Sequence, residues 1–109
     1  MSRAELARVD DGGRYRVTGP MTFETAAGLA EQGERLAGSG QPLRLDLSAV
    51  EHVDSAGVAV LLDWLATARA RKRELIFEAA PEQLVAIARV SGVETLLGLG
   101  RDVAGTETE

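Results

Sequence analysis

Polar and apolar residues alternate from Glu5 to Val9 and again from Arg14 to Thr18, on either side of Asp10-Asp11-Gly12-Gly13. Strand side chains point alternately to two faces, and Asp and Gly tolerate the backbone of a tight turn, so this pattern predicts a β-hairpin. Gly19-Pro20 is expected to end its second strand. A helix should follow. Thr22 is placed to cap it, Glu24 suits its first turn, and Phe23, Ala26, Ala27, Ala30, Leu36 and Ala37 supply an apolar stripe. Gly38-Ser39-Gly40-Gln41-Pro42 is a stop signal for that helix.

Leu43 to Leu47 alternates as a third strand, and Ser48 to Asp54 reads as its connection to a long helix from about Ser55 to Arg73. There Val58, Leu61, Leu62 and Leu65 recur at i, i+3, i+4, i+7, the spacing of one helix face. Glu74 to Glu78 is a short apolar strand. Pro81 suits the first turn of another helix, with Leu84, Ile87 and Ala88 inward and Ser91-Gly92 closing it. One or two further helical turns fit between Val93 and Leu99. The order β-β-α-β-α-β-α predicts an α/β domain whose sheet is mixed, antiparallel in the hairpin and parallel where right-handed crossovers follow.

Composition narrows the class. A chain of 109 residues, 45% of them apolar, is one globular domain, taken as residues 1–99, with 100–109 expected to be a polar, disordered tail. With no cysteine there are no disulfides or thiolate sites. A net charge of -5 opposes nucleic-acid binding, because it repels the phosphate backbone. Met1 to Leu6 has no signal-peptide character, and the apolar run Ala56–Leu62 is too short to cross a bilayer, so no membrane insertion is expected. These features suggest a soluble cytoplasmic domain.

Little in the chain supports catalysis. His52 is the one histidine and no nucleophile elbow surrounds it or Ser55. One histidine without cysteine cannot supply a usual zinc site, and no phosphate-binding loop or dinucleotide fingerprint is present. No catalytic residue, metal or cofactor is therefore expected. Arg69, Arg71, Lys72 and Arg73 suit the negative end of the long helix, with contact to an acidic partner surface as the alternative.

Asp54-Ser55-Ala56-Gly57 stands where that helix begins, with Ser55 the expected N-cap. On a helical wheel Ala56, Val60, Asp63, Thr67 and Arg71 fall opposite the core face and Trp64 on its border, which reads either as a recognition patch or as Trp64 covering the edge of the core. Free N–H groups at a helix start also favour anions, which makes a small ligand or nucleotide near Ser55 a weaker alternative.

The run from Leu43 to Leu62, of the form L-x-L-D-L-S-x-V-x-x-V-D-S-A-G-V-A-V-L-L, is followed by E-L-I-F and then P-E-Q-L-x-x-I-A-x-V-S-G-V. Together these segments resemble a STAS domain, the family that joins sulfate transporters with anti-sigma factor antagonists. The resemblance implies the STAS fold, a mixed four- to five-stranded sheet with helices mainly on one side. It also implies a non-catalytic protein that binds partners through the loop and helix beginning at D-S-x-G. In the antagonist branch a partner kinase phosphorylates the hydroxyl directly before the glycine; that position is Ala56, which has none. Ser55 resembles the hydroxyl residue of the small STAS component of the Mla phospholipid-transport ABC system. The expectation is thus a domain that binds and supports an ABC transporter ATPase subunit, with Asp54, Ser55, Ala56, Gly57, Val60, Trp64 and Thr67 as contacts. The alternative is an anti-sigma factor antagonist that binds its kinase without the usual switch, Ser55 being the remaining candidate for phosphorylation.

Overall fold

The computed structural model describes residues 3–36 and 42–99. Strands β1 (Glu5–Arg8) and β2 (Arg14–Met21) lead to helix α1 (Phe23–Gln32) and a 3₁₀ turn (Gly33–Leu36). Strand β3 (Leu43–Val53), helix α2 (Ser55–Ala70), strand β4 (Leu75–Glu78) and helices α3 (Glu82–Val90) and α4 (Glu94–Leu97) complete the order. The sheet runs β1-β2-β3-β4, antiparallel between β1 and β2 and parallel thereafter. The mixed α/β architecture predicted from patterning is thus observed, with four strands. The hairpin closes as its residues dictate: Asp10 Oδ1 accepts the Gly12 N–H at 2.8 Å, and Gly13 takes φ +88°.

Several boundaries differ from expectation. Gly19-Pro20 lies inside β2, at a register shift between Gly19 and Met21 that takes proline's missing N–H out of the regular ladder. β3 does not stop at Leu47. It continues to Val53, and its pairing with β2 shifts between Asp46 and Ala49 and again between Val50 and Val53. Inward positions therefore run Leu43, Leu45, Leu47 and then Val50 and Val53. The extra residues break the period of two, which is why Ser48 to Val53 reads as a loop in the sequence. α1 ends at Gln32 and tightens into the 3₁₀ turn; its buried residue is Leu29, whereas Phe23 and Ala27 are exposed. The expected helix stop at residues 38–41 and the tail at 100–109 lie outside the described residues, as does Ala37.

The helices pack on one face of the sheet, against Leu6, Val17, Leu45 and Phe77. The other face carries charge. Arg16 Nε lies 3.1 Å from Asp46 Oδ2, and Arg44 Nη1 lies 2.7 Å from Glu78 Oε2. Asp46 Oδ1 also accepts the Ser48 N–H at 2.8 Å. Hydrogen bonds from Ser48, helped by Arg16, hold the Asp46 carboxyl below its ordinary pKa. At the β1 edge, Leu6 N–H donates to Gln32 Oε1 at 2.8 Å and the Arg35 guanidinium donates to the Leu6 carbonyl. Side chains from the end of α1 and from the 3₁₀ turn thus occupy backbone groups that an open edge would offer to another chain.

Two glycines set how closely the layers approach. A β-carbon on Gly33 would fall 2.4 Å from Trp64 Nε1, and one on Gly57 would fall 2.3 Å from the Met21 carbonyl oxygen. Trp64 fills the space that Gly33 vacates. It is 1% exposed, and its indole N–H donates to the Leu29 carbonyl at 3.2 Å. This corrects the wheel reading of Trp64 and Val60 as a border and outer-face patch. α2 is flanked by α1 as well as resting on the sheet, so its buried arc includes Gly57, Val60 and Trp64 beside Val58, Leu61 and Leu65.

Trp64→Ala is expected to cost about 3–5 kcal/mol in urea unfolding, through the cavity it leaves. Gly57→Val should lower the midpoint by several degrees or prevent folding, because backbone, not a flexible side chain, meets the new β-carbon. For Asp46, a folded-state pKa below the unfolded one means that its stabilisation is full above the unfolded carboxylate pKa of about 3.9 and is lost as pH falls through the lowered folded value. Asp46→Asn should therefore destabilise at pH 7, with the gap to wild type closing as unfolding is measured toward pH 3.

Candidate functional site

The D-S-x-G stretch forms the corner where β3 turns into α2. Asp54 has extended backbone (φ -128°, ψ -172°) and its N–H donates to the Met21 carbonyl at 3.2 Å, which ties the end of β3 to the end of β2. Its carboxylate then serves two helices. Oδ1 accepts the Ala56 N–H at 2.8 Å in the first turn of α2, and Oδ2 accepts the Phe23 N–H at 3.0 Å at the first residue of α1. Both contacts lie at positive ends of helix dipoles, where a carboxylate is favoured. Asp54, not Ser55, is thus the N-cap. Ser55 is the first residue of α2 and is exposed.

The start of α1 is held independently. Thr25 Oγ1 accepts the Thr22 N–H at 2.9 Å and donates its proton to the Pro20 carbonyl at 2.8 Å. Thr25 here takes the place that glutamate or glutamine has in the usual capping box. With both helix starts fixed, α1 and α2 run side by side from one corner.

The residues expected at the site separate into two groups. Asp54 and Ala56 are half-buried at the corner, Ser55 is exposed, and Thr67 is half-buried about three turns further along α2. Gly57, Val60 and Trp64 are buried between α2 and its neighbours, where they hold the platform and do not form its surface. The outward face of α2 instead presents Ser55, Ala59, Asp63 and Ala66. An aromatic residue does stand at the corner, but it comes from α1: Phe23 is 82% exposed. Sequence reading placed Phe23 in the core stripe of α1; the missed signal is its position directly after the capping threonine, before the helix has turned its inner face to the sheet.

Asp54 is engaged by two backbone N–H groups, and His52, two residues away, is exposed. Among the described residues no three His, Cys, Asp or Glu side chains gather as metal ligands. A phosphate group would have to compete with Asp54 for the N–H groups of both helix starts, against its negative charge. A groove of about 520 Å³ lies elsewhere, at the far end of α2 between Arg69, Phe77 and Leu96. Among the described residues no helix is long and apolar enough to cross a membrane.

Solved structures share the fold. The chain is similar to a sulfate transporter family protein from Wolinella succinogenes, with TM-score 0.67 and 21% identity, over 85% of this chain and 77% of that one. It is also similar to part of the murine Solute Carrier 26 family member A9 anion transporter in its inward-facing state, with TM-score 0.62 and 20% identity, over 84% of this chain and 18% of that one. A structure titled "The overall structure of SLC26A9" gives TM-score 0.62 and 18% identity, over 90% of this chain and 21% of that one. The chain thus spans about a fifth of the length of these anion transporters. At such identities the likeness concerns the fold. No curated protein sequence matches the chain. A family model described as "Mlab, STAS domain" matches residues 4–98, nearly the whole length, and on that match the chain belongs to the STAS-domain family.

Proposed function

We propose that this chain is a non-catalytic docking subunit, the STAS component of an ABC-type phospholipid transporter of the Mla kind, which binds and supports the ATPase subunit on the cytoplasmic side. The observation that carries this reading is the Asp54 corner. A carboxylate fixed by two helix starts holds Ser55 outward beside a helix face of small residues, and among the described residues no metal ligand set gathers there. Such a platform costs little to order on binding, because its backbone is already held. The Mlab description of the matching family model supports the choice of transporter. Ala56 weighs against the antagonist reading, since the residue before the glycine has no hydroxyl to phosphorylate.

The test uses the full chain and the ATPase subunit of the transporter encoded with it. Ser55→Arg and Ala59→Arg place bulk and charge on exposed positions and should each weaken the complex roughly tenfold or more, with thermal unfolding unchanged. Val90→Arg, on the exposed face of α3, should leave the affinity unaltered. Absence of a complex, or indifference to all three changes, overturns the proposal. Stoichiometric phosphorylation of Ser55 by a cognate anti-sigma kinase would favour the antagonist reading instead.

A further inference from the structure

Charge is distributed unevenly along this chain. Residues 17–34 and 45–68, which build α1 and most of α2 with the strand ends that lead into them, contain none of the 12 lysines and arginines. The same stretches hold seven acids: Glu24, Glu31, Glu34, Asp46, Glu51, Asp54 and Asp63. Of these, Glu24, Glu31 and Asp63 are exposed on the two helices. Among the described residues, Arg14, Arg16 and Arg44 lie on the solvent face of the sheet, Arg35 in the 3₁₀ turn after α1, Arg69 in the last turn of α2 with Arg71, Lys72 and Arg73 following it, and Arg89 on α3. Within this acidic field stands Phe23, 82% exposed, with its backbone pinned to Asp54 at 3.0 Å. Ala27, one turn further along α1, and Ala59 on α2 are exposed as well.

We infer that Phe23 is the apolar anchor of the docking face, and that the partner is a protein surface offering an apolar socket rimmed by lysine or arginine. This inference rests on the docking reading above and names the chemistry of the partner. A ring whose main chain is already fixed loses little freedom on insertion, and aromatic residues are enriched in the buried centres of interfaces. Surrounding acids of one sign select a basic rim and repel an acidic one, which supplies specificity and speeds encounter. The same field repels anionic lipid, so this face is directed at a protein and not at a membrane surface.

The probes are two 18-residue amphipathic helical peptides with a leucine face, one bordered by lysine and the other by glutamate, and vesicles of phosphatidylglycerol. Amide shifts of the full chain should move at Phe23, Ala27 and Ala59 with the lysine peptide alone. Phe23→Ala should weaken that peptide at least tenfold and leave the fold intact, Glu24→Lys with Asp63→Lys should weaken it further, and Val90→Ala should change nothing. Equal binding of the glutamate peptide, shifts centred elsewhere, an unaltered Kd for Phe23→Ala, or vesicle binding at this face overturns the inference. The ATPase subunit separates the two proposals. If it binds and Phe23→Ala leaves its Kd unchanged, docking stands and the Phe23 anchor falls. If it does not bind while the lysine peptide does so through Phe23, the surface chemistry stands and the ATPase reading falls.

Discussion

One carboxylate organises the corner where β3 turns into α2. Asp54 closes β3 against β2 through its own N–H and gives one oxygen to each of two helix starts. The arrangement is economical in physical terms: two backbone donors that a helix start leaves without intrahelical partners are satisfied by a single side chain. It also demands a close approach. The first turn of α2 can come near enough to Met21 only because residue 57 lacks a β-carbon. Asp54 and Gly57 are therefore parts of one device, and Ser55 and Ala56 are carried between them.

The second constraint lies one layer deeper. Trp64 is the largest fully buried side chain, and its place is made by Gly33 at the end of α1. The indole N–H, which water would otherwise satisfy, reaches the Leu29 carbonyl. This contact holds α1 and α2 together away from the corner, as Asp54 does at it. The outer surface of the pair is thus positioned from both ends, although neither Trp64 nor Asp54 contributes much of that surface.

Much of the fold was legible because most elements obey one period. The hairpin, the first half of β3, β4 and α3 alternate or recur as isolated strands and helices should, and their order dictated a mixed sheet. Reading failed where two periods or two neighbours compete. Ser48 to Val53 is strand, but its bulges move the inward positions from every second to every third residue. α2 is apolar around most of its circumference, so a wheel does not reveal that α1 flanks it as well as the sheet lying beneath. For that reason the wheel places Val60 outward and Trp64 on the border, whereas both are buried. The motif itself was legible, including the absent hydroxyl at Ala56, while the choice between Asp54 and Ser55 as cap depended on a neighbouring helix that no local pattern announces.

That exchange of roles alters what the hydroxyl is available to do. A serine acting as N-cap has its oxygen committed to a backbone N–H, and any partner must compete for it. Here Asp54 meets that need, and the exposed Ser55 side chain has no structural duty at the helix start. The small residues that follow outward, Ala59 and Ala66, let another surface approach the helix backbone closely, and the acids among them set the sign of what approaches. Stability is invested beneath the face, in Gly33, Gly57 and Trp64, so residues on the face are free to vary with the partner without unmaking the fold. The separation explains how one scaffold can present different docking chemistry: the clamp and the indole determine where the surface stands, and the side chains above them determine what it accepts.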